Sequence, residues 1–389
     1  MSALSSLRSS LRDVLAPTAI LRLALGWGAF LALLVCAPLL DVALPTGVLW
    51  LVLGAIVGVI VVCAFGVVTE AEHLARRMGD PYGTLVLTLS IVLIEVILIS
   101  AVMLGPGEHA TIARDSVMAV SMIILNLVAG VALLVGGLRH GALRANRTGV
   151  FAYLGMLVVL LSAAFALPAL IGVDGSYTVA QAVPISVMTV ALYGFFLARQ
   201  MGAQRADFQE VVTAGAGGAG TDAAGAGPQA DIRAVLRRHR GELISRTVLL
   251  VATVTPIVLL SHDMATLLDD ALDRLGAPVA LSGVLIAMIV FLPETITTVR
   301  AAYTGELQRV SNLCHGALVS TVGLTIPVVL TIGMLTGRPV VLGESATSLT
   351  LLAVTLLLTF ASFGSRRVGA VHGAAHLMLF ALYGIALFA

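Results

Sequence analysis

The chain contains two long apolar runs that each enclose a single glutamate: GTLVLTLSIVLIEVILISAVMLG at residues 83–105 and VALSGVLIAMIVFLPETITTVRAA at residues 279–302. Each run has the length of a helix that crosses a bilayer, which needs about 20 residues. Glu95 lies near the middle of the first run and Glu294 in the second half of the other. An ionisable side chain at such depth costs about 2.5–3.5 kcal/mol on insertion scales. Two such residues therefore indicate a function, because packing alone would not offset this cost.

The two glutamates have matching surroundings. Ser121 follows Glu95 by 26 residues, and Ser320 follows Glu294 by the same number. Each serine is followed five positions later by another polar residue, and these are Asn126 and Thr325. A single serine or threonine in a membrane helix often only bonds its own backbone, so the matched spacing carries the argument. It predicts two equivalent units, each with a glutamate on one helix and neutral oxygens on the next.

The residues near the glutamates favour a cation site. Thr88 lies seven positions before Glu95 and shares its helix face. Pro293 directly precedes Glu294 and frees the carbonyl of Ile289, which becomes a candidate ligand. Hard oxygen ligands select alkali or alkaline-earth ions, and two carboxylates can neutralise a divalent ion. The same carboxyl groups can carry protons instead, and competition between cation and protons for one site is the basis of an antiporter.

The remaining composition is that of an integral membrane protein. The chain has 389 residues, of which 59% are hydrophobic and 11% charged, and its mean hydropathy is +1.05. About one quarter of the residues in a soluble domain are charged, so this composition excludes a soluble enzyme, a disordered chain and a nucleic-acid binder. Strand-like alternation is absent, so we predict an all-α polytopic membrane protein with membrane lipid as its surroundings. The three cysteines show no metal-binding spacing.

We predict eleven membrane spans, at residues 17–38, 47–69, 83–105, 115–138, 149–172, 178–200, 245–262, 279–302, 311–336, 345–363 and 368–387. The first resembles a signal peptide, because Arg8 and Arg12 precede it, but its length favours an uncleaved helix. The predicted organisation is an N-terminal segment with one extra helix, two inverted five-helix repeats and an Ala/Gly-rich cytoplasmic linker between them. These parts cover residues 1–44, 45–200, 245–389 and, for the linker, 201–244.

The basic residues predict the orientation. All 22 are arginines, and alternating the spans from a cytoplasmic N-terminus places 19 of them on the cytoplasmic side. The outer side receives only Arg114, Arg274 and Arg338. This predicts a multi-pass protein of a bacterial-type inner membrane with its C-terminus on the outer side.

Further polar residues are weaker candidates. Glu70, Glu72 and His73 end the second span and are candidates for gating or pH sensing, although an interfacial cap is an equally good interpretation. His315 begins the ninth span and is a candidate proton relay, with helix packing as the favoured alternative. His372 and His376 have a zinc-like spacing but no evident third ligand, so we interpret them as packing residues.

Three motifs carry a resemblance to a known family. They are EHLARRMGDPYGTLVLTLSIVLIEVILIS, FLPETITTVRAAYTGELQRVSNLCHGALVSTVGLTIPVV and GAAHLMLFALYGIALFA. They resemble the ChaA-type calcium (sodium)/proton antiporters of the calcium/cation antiporter superfamily. The resemblance implies that Glu95 and Glu294 are the metal-binding glutamates of the two repeats. It also implies that Ser121, Asn126, Ser320 and Thr321 lie on the second helices of those repeats.

The chain departs from the Gly-Asn-x-x-Glu form of related exchangers. Ile91 to Ile94 and Val290 to Pro293 precede the glutamates, so two site asparagines are absent. We predict a secondary active antiporter that exchanges a cation, in the first place Ca²⁺, for protons without a resident cofactor. Sodium or potassium exchange on the same scaffold is the alternative, and a cation channel is a more distant one. No HExxH or GxSxG motif suggests an enzyme.

Overall fold

The computed structural model describes residues 16–40, 44–78, 110–210, 240–277 and 280–388, with Leu89, Val92, Glu95, Val96, Ile99, Ser100 and Met103 from the third predicted span. The helices of the first part are α1 (Pro17–Leu40), α2 (Thr46–Met78), α3 (Ile112–Met122), α4 (Ala129–His140), α5 (Arg147–Leu161), α6 (Leu167–Ile171) and α7 (Val179–Met201). Those of the second part are α8 (Arg240–Asp273), α9 (Ala280–Val290), α10 (Leu292–Thr304), α11 (Leu307–Thr336), α12 (Ala346–Phe363) and α13 (Ala370–Ala386).

Two short π-helical stretches interrupt the first part. Ile123–Val128 joins α3 to α4, and Ser162–Ala166 joins α5 to α6. Within the described residues, extended structure is limited to isolated bridges such as the one between Leu143 and Val368. The all-α prediction is therefore confirmed. In the same residues eight helices are long and apolar enough to cross a membrane, and the bent pair α9–α10 makes a ninth candidate.

The predicted spans agree with the helices where these are described. The third predicted span lies largely outside the described residues, and the last corresponds to a shorter apolar helix, α13, so the count of eleven stays a prediction. Large apolar side chains such as Val35, Leu335 and Val371 are exposed on the helix surfaces, as expected for a protein that faces lipid.

Two element boundaries differ from the predicted ones. α8 continues beyond residue 262 to Asp273, where Arg274 pairs with Asp270 and satisfies the charged last turn. The start of the predicted linker is also ordered, because Arg205–Phe208 forms a 3-10 turn whose Phe208 is buried against Tyr153 and Phe196. Charged and polar letters alone do not distinguish a solvated loop from a helix end or a packed turn.

The two parts of the chain pack on each other in a reciprocal way. α2 lies along α8, the first helix of the other part. α13, the last helix of the second part, packs against α4 of the first part. α7, the last helix of the first part, packs against α11 of the second part. The two contacts are equivalent if the two parts are repeats of each other. The extra helix α1 contacts both α2 and α8. The two-repeat organisation itself stays a prediction. Among the described candidate spans, the two that carry Ser121 and Thr321 are the most buried.

The loops gather into two groups. We call the first group the arginine-rich end. There a backbone bridge links Leu143 to Val368, and hydrogen bonds link His140 to the carbonyl of Tyr303 and Asn312 to the carbonyl of Phe208. The second, the arginine-poor end, contains Arg114, Arg274 and Arg338 and joins Ser176 to Val341. Its arginines bind backbone carbonyls: Arg114 that of Gly343, Arg274 that of Leu44 and Arg338 that of Met103.

Candidate functional site

A break between α9 and α10 positions Glu294. The two helices meet at an angle of 57°, and Phe291 takes the bridging conformation between them with φ −85° and ψ 0°. Pro293 stands at the start of α10, where its missing N–H costs no helix bond. Glu294 consequently occupies the first turn of α10, where the helix dipole favours a carboxylate. The local sequence thus turns a single span into two half-helices with an acid at their junction.

Glu95 and Glu294 are both buried in the protein interior. Their exposed fractions are only 5% and 7%, and each lies within electrostatic reach of the other. Thr321 of α11 donates a hydrogen bond of 2.7 Å from Oγ1 to Glu95 Oε2. Glu95 Oε1 and Glu294 Oε1 make no hydrogen bond with the described residues. Two buried carboxylate oxygens without a donor are ligands for a cation or acceptors for protons.

The other predicted hydroxyl ligands have different partners. Ser121 donates to the carbonyl of Val117 on its own helix, at 2.7 Å. Ser320 donates to the carbonyl of Gly316 at 2.8 Å and accepts a bond of 3.0 Å from the Tyr193 hydroxyl. Of the predicted hydroxyls that the structure describes, Thr321 is therefore the one that bonds a glutamate. The role of Ser121 and Ser320 as ligands stays a prediction.

Asn126 belongs to a separate buried polar cluster. It lies in the π-helical stretch and donates from Nδ2 to Thr355 Oγ1 at 2.9 Å. Its Oδ1 lies 3.2 Å from Nδ1 of His376, whose Nε2 lies 3.1 Å from the hydroxyl of Ser362. All four side chains are fully buried. The structure thus joins Asn126 to α12 and α13 through bonds that involve both ends of its amide.

This cluster was not predicted from the sequence, because His376 was compared only with its neighbour His372. The signal was present: a threonine, a serine and a histidine recur in two adjacent apolar helices. Tyr193, which bonds Ser320, and Gln200, which donates to the Tyr153 hydroxyl at 2.6 Å, were also missed. Their polar groups lie at buried positions of otherwise apolar helices.

His315 is buried on α11 close to the site. Its Nδ1 lies 2.8 Å from the hydroxyl of Ser311, and its ring contacts Phe363 with centroids 4.6 Å apart. Nε2 makes no hydrogen bond with the described residues. The preceding residue, Cys314, lies within electrostatic reach of Glu294. His315 is therefore near the site but not bonded to it, and its relay role stays a prediction.

The candidates at the end of α2 lie at the arginine-rich end. Glu70 binds Arg246 of α8 in an ion pair of 2.7 Å, and Arg246 also binds Glu242 at 3.2 Å. His73 is exposed, and its Nδ1 lies 2.6 Å from the carbonyl of Thr69 on its own helix. Glu72 and Pro293 lie in helices, but their side chains are outside the described part of the structure. Thr88 lies outside it altogether.

The site offers the ligand atoms of a binding site for a transported hard cation. Within the described part of the chain, no group of three or more histidine, cysteine or acidic side chains is arranged to hold a metal ion. The two glutamates with Thr321 instead offer oxygen alone, which suits alkali and alkaline-earth ions.

Comparisons with known proteins agree with this geometry. The sequence profile described as "Sodium/calcium exchanger protein" matches residues 48–202 and 245–389. The chain is 31% identical over 335 residues to the sodium-potassium/proton antiporter ChaA of Escherichia coli, covering 84% of this chain and 86% of that protein. It is 34% identical over 329 residues to the putative ionic transporter y4hA of Sinorhizobium fredii, covering 84% and 85%.

A solved structure shares the fold. The crystal structure of the Ca²⁺/H⁺ antiporter protein YfkE superposes with a TM-score of 0.62. The superposition covers 95% of this chain and 98% of that one at 14% identity. At that identity the match speaks for the arrangement of helices and not for the choice of ion.

Proposed function

Because the chain belongs to the sodium/calcium exchanger protein family, we propose that it is a secondary active antiporter that exchanges a cation for protons by alternating access. The observation that carries this proposal is the buried pair of Glu95 and Glu294, each with one carboxylate oxygen that accepts no hydrogen bond from the described residues. The relatives are transporters, so an enzymatic activity is not part of the proposal.

The pair can hold either of its two cargoes. With both carboxyl groups ionised, their charge of about −2 is matched by one divalent cation or two monovalent ones. With protons bound, the same site is neutral and the cation is released. Thr321 keeps its hydrogen bond to Glu95 Oε2 and so leaves Oε1 available to the cargo. Because cation and protons use the same oxygens, binding of one excludes the other, and this exclusion couples their movements.

Calcium is the first proposed cargo, and sodium or potassium is the second. Two full carboxylates suit a divalent ion. The relative from Escherichia coli is described as a sodium-potassium/proton antiporter, and the departure from the asparagine-containing motif leaves fewer side-chain ligands. Cation-dependent proton flux measured with each ion in turn distinguishes the two.

The orientation completes the proposal. With the N-terminus in the cytoplasm, the arginine-rich end faces the cytoplasm, as the positive-inside rule requires. In an inner membrane with an inward proton gradient, the exchanger then exports its cation. Reporter fusions at the two termini test this orientation: a cytoplasmic reporter is active at the N-terminus and a periplasmic one at the C-terminus. The reverse pattern would contradict it.

The decisive experiment measures exchange in everted vesicles. Glu95→Gln and Glu294→Gln each keep the size of the side chain but remove its charge, and we expect both to abolish cation-dependent proton release. Glu306→Gln is the matched control, because Glu306 is an exposed acid that pairs with Arg309 at the arginine-rich end. Normal exchange in either site variant would overturn the mechanism.

A further inference from the structure

A proline inside α8 leaves a backbone carbonyl without its helical donor. Pro256 lies within the helix Arg240–Asp273. It has no N–H, so the carbonyl of Ala252, four residues earlier, cannot receive the usual bond. In an apolar environment an unpaired carbonyl is costly, and transmembrane helices tolerate proline because another group supplies the missing bond.

The missing bond comes from the extra helix. Trp27 of α1 donates from Nε1 to the carbonyl oxygen of Ala252 at 3.0 Å, across a sequence separation of 225 residues. The indole N–H is a donor only, so it fits a carbonyl that has lost its donor. The contact is therefore a specific match between a helix in the first forty-odd residues and the interior of α8.

The surrounding packing is built for this approach. Gly26 lies where α1 meets both other helices: a Cβ there would be 3.0 Å from Pro256 Cγ and 3.1 Å from Cys63 Sγ. Gly66 of α2 is equally close to α1, since a Cβ there would be 2.8 Å from Cδ of Arg22. The two glycines bring α1 near enough for the indole to reach the α8 backbone. A larger residue at Gly26 would have to displace Pro256 or Cys63, whereas at Gly66 the neighbour is the flexible side chain of Arg22.

The helix that Trp27 holds is connected to the candidate site. α8 packs along α2 and contacts α9, and α2 also contacts α10, which begins next to Glu294. α8 is therefore linked to both half-helices that position this glutamate, to α9 directly and to α10 through α2.

We propose that Trp27 is a positioning residue of the exchanger, which sets the rate of its conformational change by occupying the Ala252 carbonyl that Pro256 frees. The inference rests on the proposed function, because the rate in question is that of cation/proton exchange. By filling the carbonyl, the indole stabilises α8 in its proline-containing form and makes α1 move together with α8. Trp27 does not touch the cargo and leaves its binding unchanged.

The first test is Trp27→Phe, which keeps an aromatic ring but removes the N–H. We expect the maximal rate of exchange in proteoliposomes to fall by about three- to tenfold, the loss expected for one hydrogen bond. The cation concentration at half-maximal rate should stay within about twofold, because the glutamates are untouched. The matched control is Trp50→Phe on α2, the other tryptophan of the chain. A loss in affinity instead of rate, or an equal effect in the control, would overturn the inference.

The second test asks whether the bond acts through the proline. Pro256→Ala restores an N–H that can bond the Ala252 carbonyl within the helix, so the indole is no longer needed. We therefore expect Trp27→Phe to have no further effect on the rate in the Pro256→Ala background. An undiminished effect there would mean that Trp27 acts through packing, and the inference would fail. This cycle also separates the bond from general destabilisation, which would add in the double variant.

A spectroscopic measurement separates this inference from the proposed function. In Trp50→Phe, Trp27 is the single tryptophan, and its fluorescence reports on the surroundings of the indole, which change when α1 moves together with α8. We expect its emission to shift when cation replaces protons, and the shift to be absent when Glu95→Gln is added. If exchange occurs but the emission does not shift, the inference is wrong while the antiporter remains. If the intact protein exchanges no cation, the proposed function itself fails.

Discussion

At the scale of single residues, the orientation of the Glu95 carboxyl depends on one hydroxyl. Thr321 Oγ1 holds Oε2 and leaves Oε1 free for the cargo. A side chain that bonds one oxygen of a carboxylate also fixes the direction of the other. In the proposed exchanger we therefore expect Thr321 to contribute to binding even where it does not contact the ion.

Thr321→Val keeps the shape of the side chain and removes the donor. Losing one partner of a buried polar group costs about 1–3 kcal/mol, so we expect the apparent cation affinity to fall roughly 5- to 150-fold. Exchange assays over a range of cation concentrations measure this. Thr331→Val is the control, since Thr331 of the same helix bonds only the carbonyl of Pro327. An unchanged affinity would show that the hydroxyl does not orient Glu95.

A second acid gives a prediction about pH. Glu344 lies in the loop between α11 and α12 with a side chain only 7% exposed, 3.9 Å from Arg114. Burial raises the pKa of Glu344 above its ordinary 4.5, against smaller opposing effects of the Ser345 backbone and Arg114. The folded state therefore binds this proton more tightly than the unfolded state. Its contribution to stability is complete below pH 4.5 and is lost as the pH rises through the raised pKa.

Glu344→Gln removes this titration. We expect the melting temperature of the wild type in detergent to decline relative to that of the variant as the pH rises above 4.5. Glu306→Gln, at an exposed acid of the other end, serves as the comparison. A difference between wild type and Glu344→Gln that is constant with pH would contradict the assignment.

The two glutamates could be predicted from the sequence because burying an acid in an apolar run is too costly for packing alone. Which neutral oxygens meet them could not be predicted. Ser320 and Thr321 are consecutive, and consecutive helix residues point about 100° apart, so a spacing count cannot decide between them. Asn126 shows a further limit, because it lies in a π-helical stretch. The wider turn there changes the direction of the following side chains, and the residue types do not predict it.

At the scale of helices, α2 and α8 are tied together near both ends. At one end Arg246 pairs with Glu70, and both side chains are 11% exposed. At the other, Arg274 bonds the carbonyl of Leu44 and the hydroxyl of Thr46 just before and at the start of α2. Sequence analysis placed the two helices in corresponding positions of the repeats but could not pair them, because contact between distant segments leaves no local periodicity.

The Glu70–Arg246 pair is largely buried, so removing one partner leaves an unpaired charge. We expect Arg246→Gln to destabilise the protein by about 3–5 kcal/mol, and Glu70→Gln combined with it to recover part of that loss. Thermal unfolding of the two single variants and the double variant measures the coupling. The exposed pair Glu306–Arg309 is the reference, because surface pairs contribute about 0–1 kcal/mol. Strictly additive losses would contradict a direct interaction.

At the scale of the whole molecule, the two halves are joined by packing more than by the chain between them. α2 with α8, α4 with α13 and α7 with α11 all connect one half to the other. Composition predicted the all-α membrane class, since that class follows from hydropathy. The interlocking of the units could not be predicted, because apolar faces packed on protein and on lipid have the same composition.

A split protein tests this interlocking. We expect fragments 1–220 and 221–389, expressed together, to co-purify and to retain exchange, because the break falls in the Ala/Gly-rich segment. Either fragment alone contains only one of the two site glutamates, Glu95 or Glu294, and should be inactive. Glu95→Gln in the first fragment is the control, which should abolish exchange but not co-purification. Fragments that fold separately and never associate would refute the prediction.

The placement of one glutamate in each half has an evolutionary consequence. A primordial gene that encoded only one half could have built a complete site by inserting its product in both orientations and pairing opposite copies. Duplication and fusion of that gene would then have released each half from identity with the other. On this view Asn126, bonded to Thr355, and Thr325, whose hydroxyl has no partner among the described residues, are equivalent positions that have diverged within a single chain.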